Sequence, residues 1–186
     1  MKRKIATTFG GSEFELGSEQ YIDAILLGEL LAEMNFIVKN GGYYGLMEGV
    51  AKGVFNKKGE IIGITNAAFG SKSPNIFITR ERKKKDIFSR TREMIQDSTI
   101  IIVQEGSIGT LFELFAIWDL LYTQTLRDIP IYLIGKTWKE KIESLKHWFI
   151  KDHLFDYLTI FDNFNAFKKY FLTDMKFDSG NDMNLY

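Results

Sequence analysis

Thr99-Ile100-Ile101-Ile102-Val103-Gln104-Glu105-Gly106-Ser107-Ile108-Gly109-Thr110-Leu111-Phe112-Glu113 is an apolar run, a glycine-containing turn and a second apolar segment in succession. Residues 99 to 103 read as a strand buried on both faces, and residues 111 to 118 as a helix packed on it. A turn of this kind leaves backbone N–H groups unpaired at the helix start. Those donors and the helix dipole attract phosphate or another anion. The glycines let a ligand approach the backbone closely.

Working outward, the same strand–glycine–helix grammar recurs. Residues 5 to 9 form an apolar strand that runs into Gly10-Gly11-Ser12, and Tyr21, Ile22, Ile25, Leu26, Leu30, Leu31 and Met34 follow at helical spacing. Residues 36 to 38 give a second strand and Asn40-Gly41-Gly42-Tyr43-Tyr44-Gly45 a third glycine turn, before a helix to about residue 56. Residues 61 to 65 form a strand. The polar loop 66 to 75 follows, then residues 76 to 79, read as a strand or a packed edge, and a charged helix over residues 80 to 96. Beyond the opening stretch, whose helix runs to about residue 125, come a strand at 130 to 134, an amphipathic stripe Trp138, Ile142, Leu145, Trp148 and Phe149, an edge strand at 158 to 161 and a helical piece at 166 to 171. The pattern predicts one domain over residues 1 to 173 and a polar tail that frays over 174 to 186.

Alternating helices and continuously apolar strands indicate an α/β protein: a mainly parallel sheet, doubly wound, with helices on both faces. Ligands in such sheets bind at the carboxyl ends of the strands, where strand order reverses. Neither G-x-G-x-x-G nor G-x-x-x-x-G-K-[ST] is present.

Composition narrows the chemistry. Lys+Arg and Asp+Glu are balanced at 24 each, so no global field recruits nucleic acid or an anionic membrane. With no cysteine there is no disulfide, thiolate nucleophile or Cys-ligated zinc. The opening residues lack a signal-peptide core and no segment has the apolar length to span a bilayer, which reads as a cytoplasmic protein. His147 and His153 stand apart from the glycine turns and read as ordinary surface or packing residues, with no metal site expected. The run Arg80-Glu81-Arg82-Lys83-Lys84-Lys85 reads as a solvated face, and Leu46 and Met47 read as core. Phe112, Phe115, Trp118 and Tyr122 could face a second subunit.

Gly41-Gly42-Tyr43-Tyr44-Gly45-Leu46-Met47 resembles the GGxxGLM element of the LOG family, named for the cytokinin-activating enzymes. Gly106-Ser107-Ile108-Gly109-Thr110-Leu111-Phe112-Glu113 resembles that family's PGGxGTxxE signature, Phe9-Gly10-Gly11-Ser12 its first turn, and Ser89-Arg90-Thr91-Arg92-Glu93-Met94 its ERKxxM segment. The elements occur in the family's order across residues 5 to about 135. The resemblance implies a Rossmann-like sheet, a homodimer or larger homo-oligomer, and hydrolysis of the N-glycosidic bond of a nucleoside 5′-monophosphate, needing water but no cofactor. An older family label, lysine decarboxylase, finds no pyridoxal-binding context here. Four positions depart: Glu105 replaces the signature's proline, Ser107 its second glycine, Asn40 the third glycine of the first motif, and Glu48 the glycine after Leu-Met. A carboxylate at 105 would repel a phosphate unless it points away or is paired. A Cβ at 107 restricts positive φ.

Glu113 and Arg90 are the expected catalytic pair. A carboxylate near the ribose can stabilise the charge that builds as the C–N bond breaks, and a guanidinium offers a planar fork to phosphate or base. The alternatives are a capping box Thr110-x-x-Glu113 and a surface ion pair for Arg90, with Arg92 in solvent. Gly41, Gly42, Gly45, Gly106, Ser107, Gly109 and Thr110 are the expected ribose-phosphate cradle, with Gly11 and Ser12 near the sugar or base. An AMP-like nucleotide hydrolase stands first. A non-catalytic binder of a nucleotide or of a phosphorylated cofactor such as molybdopterin stands second, and an empty scaffold third.

Overall fold

The computed structural model describes residues 3–126, 129–148 and 152–181. Seven parallel strands form one sheet: β1 (Ile5–Phe9), β2 (Ile37–Asn40), β3 (Glu60–Asn66), β4 (Arg80–Lys84), β5 (Ile100–Gln104), β6 (Ile131–Ile134) and β7 (Leu158–Phe161), in the order β4-β3-β2-β1-β5-β6-β7. The helices are α1 (Glu19–Glu33), α2 (Leu46–Asn56), α3 (Ile87–Ile95), α4 (Ile108–Tyr122), α5 (Trp138–Lys146) and α6 (Phe164–Asn181). This is the expected Rossmann-like, doubly wound sheet.

Two apolar layers flank it. Leu27, Leu31, Val50 and Val54 from α1 and α2 join Phe167 and Phe171 of α6 on one face. Leu114 and Ile117 of α4, Met94 of α3 and Trp138 of α5 cover the other. Helices α1 and α2 meet backbone to backbone: a Cβ on Gly28 would overlap the Val50 carbonyl, and one on Gly53 the Ile25 carbonyl.

Successive strands step from β1 to β4 on one side, and the chain then crosses to β5 on the other. The carboxyl ends of β1 and β5, paired from Ala6↔Ile100 to Phe9↔Val103, are therefore the switch point. There the Gly11 amide donates to the Glu105 carbonyl at 2.9 Å, and the Leu46 amide donates to the Gly11 carbonyl at 2.9 Å. Three glycine turns are thus tied into one rim.

The expected helix over residues 80 to 96 is corrected. Arg80–Lys84 is edge strand β4, residues 76 to 79 form no strand, and α3 begins only at Ile87. Its start is set by Asp86, whose side chain accepts from the Ser89 amide in a capping box. No apolar alternation marks β4 because ion pairs, rather than burial, hold its side chains. Arg80 pairs with Glu60, and Arg82 and Lys84 with Glu93. Charges on an edge strand also deter pairing with another sheet. Two smaller boundaries move as well: α4 ends at Tyr122, and α6 continues to Asn181 through the segment read as tail. Trp148 lies beyond α5 and is exposed, while Phe149 and residues 182–186 lie outside the described residues.

Candidate functional site

The β5–α4 turn is built so that the helix begins early. Gly106 is required by close approach, since a Cβ there would overlap the Thr110 hydroxyl and stand 2.8 Å from the Gly11 nitrogen. Ser107 is the N-cap, extended at φ −101°, so its Cβ meets no left-handed restriction. No side chain caps the helix, and Ser107, Ile108, Gly109 and Thr110 line the adjacent cleft. The capping-box alternative for Glu113 falls here: with α4 starting at Ile108, Thr110 is inside the helix and Glu113 is no longer its third residue. The Thr110 hydroxyl has no hydrogen-bond partner among the described residues.

Thr110, Glu113, Leu114 and Ile117 share the buried side of α4. From α3, Arg90 reaches the same place. Its Nη1 donates to Glu113 Oε1 at 3.0 Å and its Nε to the Ile64 carbonyl at 2.7 Å, with the guanidinium 5.9 Å from the Tyr43 ring centre. Arg90 is 5% exposed and Glu113 7%, so the surface-pair alternative for Arg90 also falls. Arg92 is exposed, as expected. Burial pushes the Glu113 carboxyl up to about 7, against the pull of the Arg90 charge and hydrogen bond.

The glycine turn after β2 supports this pair rather than lining the cleft. A Cβ on Gly41 would overlap Arg90 Nη2 and the Met47 sulfur. Gly42 and Gly45 hold φ of 78° and 66°, which other residues rarely adopt. Buried asparagines brace the turn: Asn40 Oδ1 accepts from the Gly42 amide, and Asn75 Nδ2 donates to the Gly42 and Tyr43 carbonyls. The Tyr43 hydroxyl accepts from the Asn66 amide at 2.9 Å.

The resulting cleft, about 480 Å³, brings together Gly11, Ser12, Ser107, Gly109, Thr110, Arg90 and Glu113 of the expected set. Gly41, Gly42, Gly45 and Gly106 do not line it. Leu46 is core, while Met47 reaches the cleft. Sequence reasoning missed Tyr43, Phe69, Lys72, Ile87 and Phe112 in its walls. Loop 66 to 75, which supplies Phe69 and Lys72, carries no periodicity that could have marked them.

Glu105 does not occupy the anion's seat. Its Oε1 accepts from the Thr137 amide at 3.0 Å, and its Cγ packs where a Cβ on Gly135 would lie. The carboxylate thus clasps the β5–α4 loop to the β6–α5 loop, and the repulsion expected of it is absent from the cleft. His147 and His153 are exposed and apart from the site. Among the described residues no cluster could hold a metal, and no helix is long and apolar enough to cross a membrane.

The chain is similar in structure to the molybdenum cofactor binding protein from the phototrophic bacterium Rippkaea orientalis, at 17% identity and a TM-score of 0.74, over 94% of this chain and 99% of that one. It is similar to the molybdenum cofactor carrier protein from Chlamydomonas reinhardtii, at 16% identity and a TM-score of 0.70, over 92% and 98%. DNA processing protein A from Helicobacter pylori shares the fold more distantly, at 14% identity and a TM-score of 0.60, over 92% and 81%. No curated protein matches the chain in sequence. Residues 3–126, which carry all three glycine turns, α3 and α4, match the family model, and the chain belongs to the SLOG cluster4 family.

Proposed function

We propose that this protein hydrolyses the N-glycosidic bond of a nucleoside 5′-monophosphate of the AMP type, releasing free base and ribose 5-phosphate, as the LOG-like signature implies. One observation carries the reading: a buried carboxylate, Glu113, held by Arg90 at 3.0 Å in a cleft that also takes in the uncapped start of its own helix, α4. In this reading the phosphate rests on the amides of residues 107 to 110 and the Thr110 hydroxyl. As the C–N bond lengthens, its electron pair leaves with the base and positive charge gathers on the ribose. Glu113 stabilises that charge and orients the water whose oxygen bonds to the sugar carbon, while the base takes up a proton. Arg90 holds the carboxylate in place. The reaction needs only water.

The test is product analysis. Purified protein incubated with AMP should release adenine and ribose 5-phosphate, and E113Q should release neither. Absence of free base from every purine monophosphate tried would end the hydrolase reading.

The second reading is a non-catalytic holder of a phosphorylated cofactor such as molybdopterin. It is favoured by the fold shared with two molybdenum-cofactor proteins. A ligand that copurifies intact would select it. A small ligand suits the cleft better than nucleic acid does, because Arg80, Arg82 and Lys84 are already paired with carboxylates. For assembly we keep a homodimer or larger homo-oligomer, supported by exposed Phe112 and Tyr122 on α4. Trp118 leaves that stripe, since it is buried and donates to the Leu154 carbonyl at 2.7 Å.

A further inference from the structure

The cleft has two chemically different walls. One is the start of α4 with Ser12, built of amides and hydroxyls. The other is aromatic: Tyr43 and Phe69 lie with ring centres 5.7 Å apart, and Lys72 Nζ stands 5.4 Å from the Tyr43 ring centre. Arg90 is the second cation in the lining, but its Nε and Nη1 are committed to the Ile64 carbonyl and Glu113. Lys72 pairs with no carboxylate among the described residues. It therefore brings three unclaimed donors and no acceptor to the aromatic wall.

The loop that carries Lys72 is fixed to the site at both ends. Asn66 at one end bonds the Tyr43 hydroxyl through its amide, and the Asn75 side chain at the other bonds the Gly42 and Tyr43 carbonyls. Gly70, at φ 66° with nothing within 4 Å of a Cβ, turns the chain between them. The ammonium is thus stationed beside the aromatic wall and apart from the helix start in chain and chemistry.

We propose that Lys72 is a specificity-determining residue that donates to a ring carbonyl on the ligand's heterocycle, so that the cleft selects an oxo-heterocycle over an amino-heterocycle. Phosphate on α4 leaves the planar part of the ligand for Phe69, exposed beside the buried Tyr43, and the ring edge within reach of an ammonium must offer an acceptor. A purine carbonyl does so; the amino group of adenine, at the same place, is a donor and would leave the ammonium facing another donor. The inference rests on the phosphate seat proposed above and revises the base within the purine monophosphates: AMP becomes a weaker ligand of that seat than an oxo-purine nucleotide. An oxo-purine nucleotide and a phosphorylated pterin share this chemistry.

The experiment is calorimetry on the full chain with inosine 5′-monophosphate, AMP, dihydroneopterin monophosphate and inorganic phosphate, for wild type and for K72M. Lys72 is exposed, so K72M should unfold at the wild-type temperature. Wild type should bind the inosine nucleotide about tenfold more tightly than AMP, as one charged hydrogen bond gained implies. K72M should lose that preference while inorganic phosphate binds as before. A general attraction of Lys72 for phosphate would instead weaken all the ligands together, and that outcome overturns the inference, as does an equal affinity of wild type for the two nucleotides. Both leave the phosphate seat standing. Failure of wild type to bind any of these probes removes the seat and this inference with it. If both hold, relative affinity for the pterin separates the sources: tighter pterin binding without turnover selects a cofactor, and tighter nucleotide binding with base release selects a nucleotide.

Discussion

Replacing Gly109 by alanine separates what the fold needs from what a ligand needs. Gly109 is the second residue of α4, its φ lies outside the left-handed region, and no heavy atom lies within 4 Å of a Cβ built on it. The fold therefore gives no reason for glycine there. Alanine in a helix is favoured over glycine by about 0.5–1 kcal/mol, somewhat less in the first turn. For a chain of 186 residues that corresponds to a rise in unfolding temperature of about 1–3 °C. Gly109 also lines the cleft. A phosphate oxygen accepting from an amide needs to approach to about 2.9 Å, and a methyl group beside that amide stands in its path. G109A should therefore be slightly more stable than wild type and bind inorganic phosphate and AMP at least about tenfold more weakly, the loss of one charged hydrogen bond. Thermal unfolding gives the first quantity and calorimetry the second. A G109A protein that binds phosphate as wild type does would refute the proposed seat, and one that is destabilised would show that glycine serves the fold after all.

G41A should cost about 1–3 kcal/mol in urea unfolding, because the new methyl displaces the Arg90 guanidinium from Glu113, and it should abolish turnover with it. The folded Glu113 carboxyl lies at about 7 against an ordinary 4.5, so the folded chain holds an extra proton between those values. The stability this group contributes is complete below pH 4.5 and is lost as pH rises through 7, by about 3 kcal/mol at most; E113Q should flatten the profile in that window. If ionised Glu113 does the chemistry, kcat/KM should rise with pH through about 7 and then level off, whereas a rate that falls over this range would assign the acid form. Lys39 is 3% exposed and donates to the Glu93 and Gln96 carbonyls at the end of α3, and burial brings its ammonium down to about 8 from 10.5. The unfolded chain then binds the extra proton between those values, so wild type should gain stability as pH rises from 8 to 10, and K39M should lack that gain in urea unfolding at the two pH values.

The sheet was legible because its central strands are apolar on both faces, as in Ile100–Gln104, and because each glycine turn interrupts a clear change of period. Strand β4 was not, since Arg80, Arg82 and Lys84 are held by Glu60 and Glu93, whose positions in space no local pattern reveals. Within the site, Arg90 and Glu113 could be named from their place in motifs, and the fold brings them together. Their burial could not be read, because Thr110 and Glu113 share the spacing of a capping box and only the early start of α4 at Ile108 decides between the two. The orientation of Glu105 depended on an amide at Thr137, 32 residues on, and the aromatic wall on a loop without periodicity.

The most direct test of the phosphate seat is amide chemical-shift mapping by NMR as the labelled protein is titrated with AMP. The amides of Ser107, Ile108, Gly109 and Thr110 should move first and furthest, with the Arg90 side chain following. Saturable shifts confined to another surface, or none at AMP concentrations that saturate a nucleotide enzyme, would contradict it.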